Sequence, residues 1–182
     1  MSEPTALSTT LYGDEGSLSW QVRASGADVS IVGRSPSWKV THTATADLAP
    51  ILTDRADDQH RRTQIRWHDT GATVTLGERT TELDEAGLWD TDVLDVRLGF
   101  EVQRGARRFA FRGIDPKNGT VFAFTGEVVG TEPVDGVACH HLVLRAAGVL
   151  GWVSPTWHYW YDEHGRLRQF DGPAGRFGPE PA

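Results

Sequence analysis

The strongest constraint on this chain is a two-residue alternation of apolar and polar side chains, interrupted every few residues by turn formers. Leu18, Trp20 and Val22 alternate with Ser17, Ser19, Gln21 and Arg23, the pattern of a strand with one covered face. Ser25-Gly26-Ala27-Asp28 turns the chain, and Val29 and Ile31 resume the alternation. Trp38, Val40, His42 and Ala44 alternate with Lys39, Thr41, Thr43 and Thr45, a segment rich in β-branched residues. Ile65 and Trp67, then Val74 and Leu76, flank Asp69-Thr70-Gly71 and predict a hairpin over residues 63–77. Pro50 to Arg62 is polar and reads as a connection or a strand end.

The second half continues the pattern. Phe109 and Phe111 open a strand, Asp115-Pro116-Lys117-Asn118-Gly119 turns it, and Val121–Val129 and Val137–Leu144 are apolar on both faces. Thr156–Tyr161 and Arg166–Phe170 flank the loop Asp162–Gly165. Leu88–Gly99 is the one helical candidate, with Asp90 as N-cap and Leu94 and Leu98 four apart. Because Val96, Leu98, Phe100 and Val102 also alternate, the expectation is a helix running into a strand. The resulting fold class is mainly β: a curled antiparallel sheet of about eight to ten strands, forming an incomplete or closed barrel with one or two short helices at most. Residues 1–16 read as an N-terminal arm, 17–172 as a single domain, and 173–182 as a C-terminal tail.

Composition removes several function classes. One cysteine, Cys139, excludes an internal disulfide and a four-cysteine metal centre. Eighteen basic against 25 acidic residues, a net charge of −7 with the arginines dispersed, argues against nucleic acid. No apolar run approaches the roughly 18 residues of a membrane-spanning helix, and the longest, Ala146–Val153, holds two glycines. The N-terminus lacks the charged and apolar regions of a signal peptide, so a cytoplasmic location is expected. No phosphate-binding glycine motif and no Gly-x-Ser-x-Gly elbow occurs, and no cofactor is expected.

Seven tryptophans stand out, and the densest aromatic stretch is Trp152 followed by Trp157-His158-Tyr159-Trp160-Tyr161-Asp162. Alternation puts Trp157, Tyr159 and Tyr161 on one face and His158, Trp160 and Asp162 on the other. The second face is expected to line a ligand cavity together with Trp38, His42 and Trp67, with His158 and Asp162 as its polar end. The opposing reading is an aromatic strand packed on both sides. Seven histidines raise the question of a metal. Adjacent His140 and His141 point to opposite faces, however, and convergence of His42, His68, His140 and His158 would require cross-strand placement, so no metal ligand is assigned. Cys139 and His141 share a face, which permits a nucleophile pair but fits a buried thiol better. The acidic residues at 82–95 lack the spacing of a calcium loop and read as a solvated face. Ser35-Pro36 and Ser154-Pro155 are turn signals, and Asn118-Gly119-Thr120 is a turn that also matches a glycosylation acceptor.

Two segments carry a family likeness: Phe124–Gly136, with its Val-x-Gly-x-Glu, and Trp160-Tyr161-Asp162…Gly165-Arg166-Leu167. With the apolar strand His141–Leu144 between them and the acidic-capped Trp89–Leu94 before them, this order resembles bacterial β-rich families related to the LolA/LolB lipoprotein-carrier superfamily, which includes glycolipid-binding proteins. The resemblance implies an incomplete antiparallel barrel around an apolar cavity holding lipid-like cargo. Three functions stay open. The first is a binder of a hydrophobic or lipid-like small molecule. The second is a cofactor-free barrel enzyme (cyclase, isomerase or dehydratase) using His158 with Asp162, or His42 or His141. The third is a structural domain with a filled core. The oligomeric state is left open.

Overall fold

The computed structural model describes residues 6–14, 16–148, 155–173 and 175–180. Trp152, Ser154 and most of the apolar run 146–153 lie outside the described residues, as do residues 1–5, 15, 174 and 181–182. Eight strands form an antiparallel meander in chain order: β1 (Ala6–Gly13), β2 (Gly16–Ser25), β3 (Asp28–Ser35), β4 (Trp38–Thr45), β5 (Pro50–Asp57), β6 (Arg62–His68), β7 (Gly71–Leu76) and β8 (Arg79–Leu83). A second sheet takes β9 (Trp89–Asp90), β10 (Arg108–Asp115), β11 (Thr120–Val134), β12 (Val137–Ala146), β13 (Trp157–Tyr161), β14 (Leu167–Gly172) and β15 (Gly175–Phe177). Among the described residues only the short β9–β10 pairing is parallel. A 3-10 turn (Thr91–Val93) and one helix, α1 (Leu94–Gln103), separate β9 from β10.

The two sheets join on one side, where Tyr12 exchanges both backbone hydrogen bonds with Gly178 at 2.8 and 2.9 Å. They do not pair at β8 and β9. The result is a curled, barrel-like sheet, as the alternation predicts, but it is not closed by strands. The β9–α1 segment lies against its concave side. Leu94, Leu98 and Val102 of α1 share one core with Trp20 and Ile31 of the first sheet and Phe124, Tyr159 and Phe170 of the second.

Four expectations are corrected. Residues read as an arm contain β1, because Leu11, 2% exposed, is held in the core by its pairing with Leu18 of β2. The tail contains β15, with Phe177 buried against Phe170. The polar stretch 50–57 is a full strand whose inward residues are Thr53 and Arg55, so its buried face carries no hydrophobic signature. The helix continues to Gln103 instead of passing into a strand. Leu94, Leu98 and Val102, four residues apart, form a stripe that only a helix can bury on one side. The chain therefore has fifteen strands among the described residues, more than the alternation alone marks out.

Candidate functional site

The site with the most constrained chemistry lies where the β9–α1 segment crosses the curled sheet. Asp90 caps the 3-10 turn: its Oδ1 accepts the Asp92 N–H at 2.8 Å. Its Oδ2 accepts the Thr53 hydroxyl proton at 2.6 Å. A hydroxyl has one proton and two lone pairs, so Thr53 Oγ1 is left as an acceptor. It receives the Trp67 Nε1–H at 3.3 Å and His42 Nδ1 at 2.8 Å. The proton of His42 is thereby placed on Nδ1, with the Asp90 carboxylate 3.4 Å away. His42, Thr53 and Asp90 are all buried. Two residues expected at the site, His42 and Trp67, are thus brought together, by a threonine the sequence does not single out. Trp38 is half-buried against the main core and takes no part in this network.

Beside it, buried Arg55 lies 2.7 Å from Asp92 through Nε, as an ion pair whose N–H is not aligned for a hydrogen bond. Burial pushes Asp92 up to about 7, helped by the Asp90 carboxylate and opposed by Arg55. Burial also pushes Asp95 up to about 7, with Asp92 adding to the effect. Both acids are ordinary carboxylates with pKa near 4 in an unfolded chain. Between about pH 4 and about pH 7 the folded protein therefore binds more protons than the unfolded one, and stability falls as pH rises through that window. The urea midpoint is expected to be higher at about pH 5 than at about pH 8, and Asp95→Asn to flatten the difference. A midpoint that rises with pH would refute the assignment of these protons.

The interior walls are aromatic. Trp89 stacks on Phe111 at 4.2 Å, Phe111 on Phe124 at 5.3 Å, and Phe124 meets Trp157 edge-on. Arg97 of α1 covers the other face of this wall, 4.7 Å above Trp89, and donates to the Leu48 carbonyl. Tyr161 anchors the start of the helix by donating from its hydroxyl to the Asp95 carbonyl at 2.8 Å. Beside the β9–α1 segment two small gaps are found among the described residues. A gap of about 40 Å³ lies between α1 and the first sheet, lined by Trp20, Val22, Val96, Phe100 and Leu167. A second, of about 20 Å³, lies beside His42, Leu48, Trp89 and Arg97.

His158 and Trp160 are found elsewhere. On β13 it is Tyr159 and Tyr161 that turn to α1, with half-buried Trp157, while His158 and Trp160 take the opposite face. The alternation is as expected, but the choice of inner face is reversed. Two-sided aromatic strands carry no marker of which side the helix covers. Trp160 packs with Val134 and Cys139, and its Nε1–H donates to Glu132 Oε2 at 3.1 Å. Glu132 Oε1 is 3.0 Å from His141 Nδ1, and His141 Nε2 is 2.9 Å from His158 Nδ1. Hydrogen bonds from Trp160 and His141 hold the Glu132 carboxyl below its ordinary range. Burial, with His141 beside it, lowers the pKa of His158.

Asp162 does not pair with His158. Its Oδ1 accepts backbone N–H groups of His164 and Arg166, both at 3.0 Å, which closes the hairpin loop. Local turn geometry claims the carboxylate, so the His158–Asp162 acid–base pair does not form. Cys139 is buried, its pKa raised by that burial, and its Sγ–H points to the Val137 carbonyl, as suits a packed thiol. His68 lies beside Thr70 and Glu82, and His140 beside Arg107 and Thr131, so the four histidines named for convergence stay apart.

No family model matches the chain, and no curated protein matches it. Among solved structures it is similar to a crystal structure described as a β-barrel-like protein of a domain of unknown function, DUF1849, from Brucella abortus. The two share 13% identity at a TM-score of 0.58, over 96% of this chain and 94% of that one. At that identity the likeness carries the fold alone: a β-barrel-like, β-rich architecture of unknown function. No described helix is long and apolar enough to cross a membrane.

Proposed function

We propose that the chain binds a hydrophobic or lipid-like small molecule on the aromatic concave side of the curled sheet, in space that α1 would yield to it. The observation that carries this reading is that a single ten-residue helix, and not a pair of strands, closes an aromatic interior. Displacing a short helix breaks few obligatory backbone hydrogen bonds between elements, whereas opening a closed barrel breaks a whole ladder. The gap lined by Trp20, Val22, Val96, Phe100 and Leu167 marks where a ligand chain would first enter. Apolar contact at about 25 cal/mol per Å² supplies the driving force without a reactive residue. The resemblance of the Val-x-Gly-x-Glu and Trp-Tyr-Asp…Gly-Arg-Leu segments to LolA/LolB-like half-barrels points the same way.

A second reading, a structural domain with a filled core, is favoured by the size of the gaps. Both are far below the roughly 300 Å³ of an ordinary small-molecule site. Native mass spectrometry and tryptophan fluorescence during titration with a long-chain fatty acid decide between them. Binding predicts a one-to-one adduct and quenching, with faster uptake by Phe100→Ala, which widens the entrance. Absence of both adduct and quenching, in wild type and in Phe100→Ala, leaves the filled-core reading. Of the residues named for the enzyme reading, His158 has no paired Asp162, whereas buried His42 has the Asp90 carboxylate 3.4 Å away, with Thr53 bonded to both.

A further inference from the structure

The face turned away from α1 carries an arrangement that interior binding does not use. His141 and His158 sit diagonally on adjacent strands, since His141 pairs with Trp160 and Val143 with His158. Their facing nitrogens, His141 Nε2 and His158 Nδ1, are 2.9 Å apart. Two ligands about 2.05 Å from one ion and about 90° apart are separated by about 2.9 Å, the cis spacing of square-planar and octahedral ions. We propose that His141 and His158 form a two-imidazole site for a tetragonal divalent transition ion, Ni(II) or Cu(II), with Glu132 positioning His141.

His141 has its tautomer fixed for a ligand. Glu132 takes up its Nδ1 at 3.0 Å, which puts the lone pair on Nε2, where it accepts from His158 until an ion takes that proton's place. A carboxylate behind a metal-binding imidazole fixes the tautomer and raises the basicity of the ligating nitrogen. The Trp160 ring stacks on His141 at 4.4 Å and 11° between planes, and its own N–H is tied to the same carboxylate, so ring, imidazole and carboxylate hold one another. His158 is the adjustable partner. Its Nδ1–H donates to His141, and on binding the proton shifts to Nε2 while both imidazole rings turn their lone pairs from each other toward the ion. No atom or electron is gained or lost in that tautomer change. Asp171 lies directly across from His158 on β14, and its carboxylate favours positive charge at this face, whereas Arg145 opposes it. No three ligating side chains converge here or elsewhere among the described residues, and the proposed site leaves the other positions to solvent.

The test is titration of the untagged protein with nickel chloride at neutral pH, read by calorimetry and by tryptophan fluorescence. One equivalent should bind, with quenching that Trp160→Phe removes while binding persists. His158→Phe and His141→Gln should each abolish the saturable phase, with folding checked by circular dichroism. Glu132→Gln should weaken binding about 10- to 100-fold while leaving the stoichiometry at one. His140→Ala and His164→Ala should change nothing. No saturable binding to wild type, or unaltered binding to a folded His158→Phe, would overturn the site. Fatty-acid uptake is expected to be the same with and without nickel, so the two proposals fail separately.

Discussion

Gly99→Ala is expected to destabilise the protein by about 3 kcal/mol, although glycine to alanine inside a helix ordinarily stabilises by about 0.5–1 kcal/mol. The reversal of sign comes from a close approach of two backbones. A Cβ on Gly99 would run into the carbonyl oxygen of Gly165, and one on Gly165 would lie 2.5 Å from the carbonyl oxygen of Gly99. Neither obstacle is a flexible side-chain end, so relief requires α1 to lift from the β13–β14 hairpin, pulling Leu98 from the core. A matched pair isolates the effect. Gly165 has φ +72° and Gly136 φ +75°, yet only Gly165 has a neighbour within 4 Å. Gly136→Ala should cost about 1 kcal/mol for the left-handed backbone alone, and Gly165→Ala at least twice that. Equal losses in urea denaturation at the two positions would show that the helix is not held by this contact.

The second large effect is expected at Thr53. Thr53→Val preserves shape but removes the oxygen that serves Asp90, His42 and Trp67 together. Each buried group left without a partner costs about 1–3 kcal/mol, so a total loss of about 3–5 kcal/mol is expected. Thr53→Ser retains the hydroxyl and loses one methyl, and should cost about 1 kcal/mol. If valine and serine variants unfold at the same urea concentration, the hydroxyl is not the keystone of the network. The Thr53–Asp90 bond joins β5 to the segment that leads into α1, so the valine variant should also loosen the helix. Under the proposed function, its uptake of fatty acid should then be faster than that of wild type.

Much of the candidate site was hidden in the sequence for one physical reason. Hydrophobic periodicity reports burial only where the buried residues are apolar. On β4 the inward positions are Val40, His42 and Ala44, and the strand is legible. On β5 they are Thr53 and Arg55, and the same geometry reads as a loop. Asp90 was legible as a helix cap because capping is local, decided within three residues of chain. Its second bond, to a threonine 37 residues earlier, depends on which strands face each other and leaves no local trace. Asp162 was misplaced by the converse error. Position on a face suggested a partner for His158, but backbone N–H groups two and four residues ahead compete for the same oxygen and are always within reach.

What the sequence alone determined is the set of strands with apolar inner faces, the positions of most turns, the cap at Asp90, and the two-sided character of β13. These are consequences of side-chain alternation and local backbone chemistry, and they hold wherever the strands are finally placed. Tertiary structure alone decided which side of β13 faces α1, that a helix and not a strand pairing closes the curl, and that Glu132, His141, His158 and Trp160 meet. Each of these depends on how three-dimensional neighbours share the available surface. A strand with aromatics on both sides is equally stable facing either way until a helix arrives to cover one of them.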